Sequence, residues 1–579
     1  MATPVTHTAP HTIPIPATDI ASFIFAGDVA AQQSPQFFDA DTPARHYSLA
    51  QAQTYVKQVA YGLQTKLRLQ PDDKVLLYSG NNLYFPVLLW GVTAARCVFT
   101  AANPSASENE LEHQLRDSNA RVLLTHPAGV AVAARVAERC GLPADRVYLF
   151  VDPRDRETYV AARAWTDFWS RPEEVAEWTW RPITSVAEAQ DTTAILNYSS
   201  GTTGPPKGVE ISHYNAVANS VQLVHKRGLV ADTPAGRARK ARLDASGERW
   251  LCALPMYHAY GQTYFCLNAP RIGAKVYIMA KYDLARFLLY LDTYRVTFLS
   301  AVPVILNMLA KHPRPGDFNL RSIESVTTGS APLNPATGAA VARMYLRPGV
   351  TVKQGLGMTE CTCSLSGFAA DDADDGRSVG WLNANCQVRV VPVEGEDWTA
   401  SSSGEGKDKD GIPAGVVVGE LWIAGPNVMK GYYRQPGKTG ETIVHDAQGT
   451  RWLRTGDIGY VDGRGRIYVV DRMKELIKVK GLQVSPAELE LALLEHAGVA
   501  DAAVVGAKIG DGEYPRAFVV RKSDAVTAQE IQDLIASKFA RHKWLTGGVV
   551  FIDAIPRTGS GKIIRRALHE MRVPSSTKL

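Results

Sequence analysis

Tyr198-Ser199-Ser200-Gly201-Thr202-Thr203-Gly204-Pro205-Pro206-Lys207-Gly208 follows the apolar run Ala194-Ile195-Leu196, with Asn197 between them. Four aliphatic hydroxyls, three glycines and one lysine fall within these eleven residues, behind an entering strand. Small residues let a backbone curl closely around an anion, so that amides and hydroxyls donate to it. Lys207 adds a mobile point charge suited to a phosphate tail. The stretch is not a Walker A loop, because Gly-x4-Gly-Lys-Ser/Thr cannot be drawn through it. A Gly/Ser-rich surface turn is the bland alternative, and it leaves the strand and the lysine unexplained.

Outward from this loop, short β-branched runs at 75–78, 122–125, 274–279 and 297–302 alternate with helical patterns. Such alternation predicts an α/β fold of mainly parallel sheets covered by helices on both faces. From about 419 the strands become closely spaced and punctuated by glycine, as in Asp462-Gly463-Arg464-Gly465, which predicts a small antiparallel β subdomain. A third texture follows Asp471. Residues 485–497 carry a Ser N-cap, Pro486 at the first helical position and apolar residues at helical spacing, opening a compact α+β unit. The chain therefore divides into a large domain over 1–470, a connecting segment over 471–481 and a small C-terminal α+β domain over 482–579. The Arg-rich stretch 231–248 and the Gly/Ser/Asp/Lys mixture 394–414 read as solvated insertions.

Composition excludes several classes. A net charge of +5 on 579 residues predicts no nucleic-acid partner. No run of about 18 apolar residues exists, so no membrane span is expected. The Pro/Thr-rich N-terminus lacks the basic and apolar regions of a secretory signal. Of seven cysteines only Cys361 and Cys363 lie close together, without metal-ligand spacing, which argues against zinc and disulfides. Thr577-Lys578-Leu579 differs from the peroxisomal Ser-Lys-Leu address only at its first position, so a peroxisomal import receptor is an expected partner, with a cytoplasmic location otherwise.

Further motifs follow in order: Pro255-Met256-Tyr257-His258, Gly329-Ser330-Ala331-Pro332-Leu333, Gln354-Gly355-Leu356-Gly357-Met358-Thr359-Glu360, Arg454-Thr455-Gly456-Asp457, the charged run from Asp471 to Gly481, and Pro556-Arg557-Thr558-Gly559-Ser560-Gly561-Lys562. Together with the phosphate loop they resemble the adenylate-forming superfamily of acyl-CoA synthetases, adenylation domains and firefly luciferase. The resemblance is strongest to 4-coumarate:CoA ligase-like enzymes and extends over nearly the whole chain.

That resemblance implies an AMP-forming acid–thiol ligase using ATP, Mg2+ and CoA. Ser199, Ser200, Gly201, Thr202, Thr203, Gly204 and Lys207 would hold the phosphates. Gly329, Ser330, Ala331, Gly355, Leu356 and Gly357 would line the adenine, Leu356 standing where the family usually has an aromatic ring. Thr359 would meet the α-phosphate, and Glu360 would hold Mg2+, a hard cation suited to carboxylate oxygen. Asp457 would bind the ribose and Arg472 the ribose or phosphate. The small domain would pivot at Lys474 between two half-reactions, with Gly481 lining the pantetheine tunnel and Lys478 and Gln483 touching the adenylate. Lys562 would bridge the attacking carboxylate and the α-phosphate, and His258 would gate the acyl channel. Tyr260, Tyr264, Ser330, Gly355 and Leu365 are the candidate acyl-pocket residues, pointing to an aryl or medium-chain acid. No acidic residue follows His258 through Tyr264, which disfavours a free amino acid. Loading of a carrier-protein thiol and luciferase-like oxygenation are the alternatives. A non-catalytic nucleotide-binding protein is disfavoured by the presence of both Glu360 and Lys562.

Overall fold

The computed structural model describes residues 3–27, 31–159, 162–199, 205–393, 412–413, 415–479, 482–509, 512–559 and 561–571. Two seven-stranded sheets dominate the large domain. One runs in the order Val352–Gln354, Ser325–Thr328, Phe298–Ala301, Arg249–Cys252, Lys275–Ile278, Pro35–Asp39 and His46–Ser48, and is parallel except for the last hairpin. The other has the strand Thr193–Ser199 between parallel Val98–Ala102 and antiparallel Lys207–Ser212. Strands such as Val98–Ala102 and Val122–Thr125 are buried at every position, the pattern of a sheet covered on both faces. Side chains of both sheets, among them Phe99, Trp250 and Phe298, join Phe85 and Trp90 of the helix Phe85–Ala94 in one continuous core.

The predicted antiparallel subdomain is a six-stranded sheet built on Gln387–Val391, Gly419–Ala424 and the long strand Arg451–Val461. Its edge is Val5–Thr8, paired antiparallel with Gln387–Val391. That pairing was not foreseen, because its two strands are nearly the length of the domain apart in sequence.

The C-terminal domain has its own core on the strands Val499–Ile509, Gly512–Arg521 and Val549–Phe551, covered by the helices Pro486–Leu494 and Ala528–Lys538. The Ser485 hydroxyl accepts from Glu488 N at 3.2 Å with Pro486 at the first position, as the local pattern predicts.

One expectation is corrected. Residues 231–248 are not a solvated loop: Pro234–Ser246 is a helix, capped by Thr233. Arg239 Nε donates to Asp371 at 2.7 Å, and Arg242 grips Glu324 through two 2.7 Å bonds. Arg239 and Arg242, read as solvated, are the pins that hold the helix to the domain. The stretch 394–414 lies almost wholly outside the described residues.

Candidate active site

In open parallel sheets ligands gather where the strands end at their carboxyl ends, and here four such ends converge. Arg249–Cys252 leads to His258, Phe298–Ala301 to Val302, Ser325–Thr328 to Gly329-Ser330, and Val352–Gln354 to Gly355-Leu356-Gly357. These turns need particular backbone shapes. Ser330 sits at φ +80°, and a Cβ on Gly357 would collide with the Cys363 carbonyl, because the chain folds back on itself there. Gly355 N donates to Thr328 O at 2.9 Å, tying the two glycine turns together.

They border a cleft of about 1080 Å3, including its opening to solvent. Gly329, Ser330, Gly355, Leu356, Gly357 and Thr359 line one part of it. His258, Tyr260 and Tyr264 line another, and Lys562 of the C-terminal domain reaches in between. Ala331 is half-buried beside Ser330.

The loop carrying Lys562 is shaped by its own bonds. Thr558 N donates to Lys562 O and Gly561 N to Thr558 O, each at 2.8 Å, with Gly561 at φ +84°. Arg557 clamps the turn by donating to Gly561 O at 2.9 Å while holding Asp501. Gly559 lies so close to the Tyr257 hydroxyl that a Cβ there would strike it, and Gly561 packs on Val302 and Val304. The two domains also touch where Asn334 Nδ2 donates to Leu491 O at 3.2 Å.

A charged cluster surrounds the lysine. Asp457 and Arg472 stand opposite each other in antiparallel strands, with Arg472 Nε donating to Asp457 Oδ1 at 2.9 Å. Burial raises the Asp457 pKa, and the Arg472 and Lys562 charges oppose that rise. Burial, then repulsion from Arg472, lowers the Lys562 pKa, while Glu360 and Asp457 pull it back up. Burial and, secondarily, the Lys562 charge hold His258 at about 4, so its imidazole is neutral near pH 7. Its Nδ1 accepts from Tyr260 N at 3.3 Å and starts the following helical segment.

Glu360 lies in a short 3-10 turn, buried, with Oε1 accepting from the Tyr432 hydroxyl at 2.9 Å. The Tyr432 ring in turn lies 4.6 Å beneath the Lys207 ammonium. Lys207 faces Ser199 across the hairpin that brackets the phosphate loop. Ser200, Gly201, Thr202, Thr203 and Gly204 lie outside the described residues, as does Gly481.

Two expected positions fall elsewhere. Leu365 is buried in the core behind the wall, its N–H donating to Leu356 O at 2.9 Å, so it supports the cleft without lining it. Lys478 is exposed on the hairpin Ile477–Val479/Leu482–Val484, paired in register with Gln483, and does not line the cleft in this arrangement. The sequence reading also missed Lys226, Asn268 and Phe298 on the cleft wall. Asn268 was within reach of it, because 260, 264 and 268 follow helical spacing.

The chain belongs to the AMP-binding enzyme family: the model of that name matches residues 28–433, and that of the AMP-binding enzyme C-terminal domain matches 488–562. It is 33% identical to a phenylacetyl-CoA ligase of Aspergillus niger over 97% of this chain and 98% of that one. It is 32% identical to peroxisomal OPC-8:0-CoA ligase 1 of Arabidopsis thaliana, over 97% and 95% of the two chains. Among solved structures, an anthranilate CoA ligase in complex with anthranoyl-AMP superposes with a TM-score of 0.77 at 21% identity, covering 96% of this chain and 97% of that one. The ATP-bound MatB of Rhodopseudomonas palustris gives 0.76 at 24% identity, over 95% and 98%. At these identities the two structures establish the shared fold.

Proposed function

We propose that the protein is an ATP-dependent acid:CoA ligase that activates an aryl or medium-chain carboxylic acid as its acyl-adenylate, releases pyrophosphate and passes the acyl group to CoA. The observation that carries this reading is Lys562, delivered by the C-terminal domain into a cleft bordered by Thr359, Gly355 and neutral His258. A carboxylate attacking a phosphate ester is an encounter of two anions, and positioned cations relieve their repulsion. In this arrangement Lys562 bridges the acid and the α-phosphate beside Thr359, Arg472 and Asp457 hold the ribose end, and Lys207 meets the phosphate tail.

Glu360 suits Mg2+: a single hard carboxylate, its second oxygen free of the Tyr432 hydroxyl, matches an ion that takes one or two carboxylates plus substrate phosphates. When bound, that ion neutralises phosphate charge.

The unit boundaries form part of the same reading: a large unit over 1–470, a hinge over 471–481 about Lys474, and a small unit over 482–579. Rotation of the small unit would withdraw Lys562 and bring Gly481, Lys478 and Gln483 toward the adenylate for the thiol step. Two observations support it. The small unit has a core of its own, and its contacts with the large unit are sparse polar bonds and glycine approaches. The tail Thr577-Lys578-Leu579 is proposed as a peroxisomal address, tested by fusing it to a fluorescent protein.

The ligase reading is tested by supplying arylacetic and medium-chain acids with Mg-ATP and CoA and measuring acyl-CoA by mass spectrometry. Acid-dependent acyl-CoA with equimolar AMP is the expected result. Nucleotide hydrolysis without a thioester under every acid would overturn it.

A further inference from the structure

The hairpin that carries Lys478 is a weak piece of structure by itself. Among the described residues its strands, Ile477–Val479 and Leu482–Val484, pair only with each other. A two-stranded ribbon is at best marginally stable in water, so neighbours must hold it. Ile477, Val479 and Val484 turn into the core of the small unit, and strand alternation leaves Lys478 outward and exposed. Those three apolar side chains fix how deep the ribbon sits. They do little to fix its tilt or slide, because apolar burial is non-directional.

The directional contact comes from Glu513. It stands on the strand Gly512–Arg521, against which the hairpin packs, and its Oε2 accepts from Lys478 N at 3.0 Å. The side chain lies diagonally over the neighbouring strand. Glu513 is paired with Lys508, yet its carboxylate covers Gly506, where a Cβ would strike Oε1, Cδ and Cγ. Gly506 lies inside the strand Val499–Ile509, opposite Pro515, so its missing side chain serves space and not an unusual turn. Glycine inside a strand weakens it, and a side chain laid across the bare backbone is what this one accommodates. The colliding group is the far end of a flexible carboxylate, so a methyl at 506 would push Glu513 aside without disturbing the ladder.

We propose that Glu513 is a positioning residue for the thiol step. Its carboxylate fixes the Lys478 backbone, and with it the angle at which the hairpin presents Lys478 and Gln483 once the small unit has turned. Gly506 is the bare position that lets the carboxylate cross the sheet. Neither residue touches the reactants, and neither lines the cleft that Lys562 enters for adenylation. The consequence is selective: the bond matters for the half-reaction in which the hairpin meets the adenylate and is idle in the other. The inference rests on the ligase reading and on the rotation that forms part of it.

The test assays the two half-reactions separately in the full chain: adenylation by acid-dependent ATP–pyrophosphate exchange, the thiol step by single turnover of synthetic acyl-adenylate with CoA. Glu513→Ala and Gly506→Ala should each slow the thiol step by about tenfold and leave adenylation within about twofold of native. Glu513→Gln keeps an acceptor oxygen at the same reach and should retain most of the rate. Lys478→Ala, which removes the side chain the hairpin delivers, should slow the thiol step as well. A merely structural Glu513 would lower Tm and slow both steps together, and that result overturns the proposal. So does a native thiol rate in Glu513→Ala while Lys478→Ala is slow, or a Glu513→Gln chain as slow as Glu513→Ala. A native rate in Gly506→Ala removes the role given to the glycine. If neither Glu513→Ala nor Lys478→Ala slows the thiol step, the rotation reading falls and takes the proposal with it. Absence of thioester from the native protein defeats the ligase reading itself, a distinguishable failure.

Discussion

Replacing Lys562 by alanine separates the two chemical steps. In the structure this side chain is the cation that the C-terminal domain adds to the cleft beside Thr359. A unit charge about 4 Å from a developing negative charge contributes about 4 kcal/mol at an intermediate dielectric, a rate factor near a thousand. Arg472 lies close enough to depress the lysine's pKa and stays behind in the variant, so part of the positive field survives. The expected loss in the adenylation step of Lys562→Ala is therefore about 100- to 1000-fold. Adenylation is assayed by acid-dependent ATP–pyrophosphate exchange. The thiol step is assayed separately by adding synthetic acyl-adenylate and CoA, and it should fall by less than about threefold, because the rotated small domain no longer presents this residue. An equal drop in both steps, or an adenylation loss below about tenfold, would refute the reasoning.

Three further outcomes follow from the same geometry. Gly559→Ala places a methyl against the Tyr257 hydroxyl, so it should slow adenylation by about tenfold while sparing the thiol step, and Tyr257→Phe in the same chain should recover part of the loss. The Lys562 pKa is lowered from 10.5, so kcat/KM for adenylation should fall as pH rises through a midpoint below that value, and Lys562→Arg should move the basic limb upward. His258, at about 4, should contribute no inflection near 6.5. Asp471 is raised from 3.8 to about 6, foremost by burial, with Oδ2 unpartnered. A carboxyl with a raised folded-state pKa contributes stability that is full below the unfolded value and lost as pH rises through the folded one. The loss amounts to about 3 kcal/mol by pH 8, and thermal melts should show Asp471→Asn narrowing the gap between pH 5 and pH 8.

What could be read from the sequence was what local chemistry determines. The helix after Ser485 needed only its cap and Pro486, whereas the glycine turns at 329 and 355–357 were placed by the resemblance to the adenylate-forming superfamily. What escaped depended on partners far away in the chain. The helix Pro234–Ser246 looked like a basic loop because Asp371 and Glu324, which pair with Arg239 and Arg242, lie far away in the sequence. The edge strand Val5–Thr8 has too little apolar alternation to be recognised without Gln387–Val391 beside it. Leu365 was named as a candidate pocket residue, yet it is buried in the core. Asn268 and Lys226 carry no motif, and their place on the cleft wall appears only in the folded chain.

The account turns on oxygen attacking the α-phosphorus of ATP. The most direct measurement uses a substrate acid labelled with 18O in its carboxylate, turned over with Mg-ATP and CoA. One labelled oxygen should be recovered in AMP, because the thiol attacks the carbonyl and expels the nucleotide with the oxygen that joined it. Label recovered in inorganic phosphate, with ADP as the nucleotide product, would contradict the acyl-adenylate and with it the role given to Lys562.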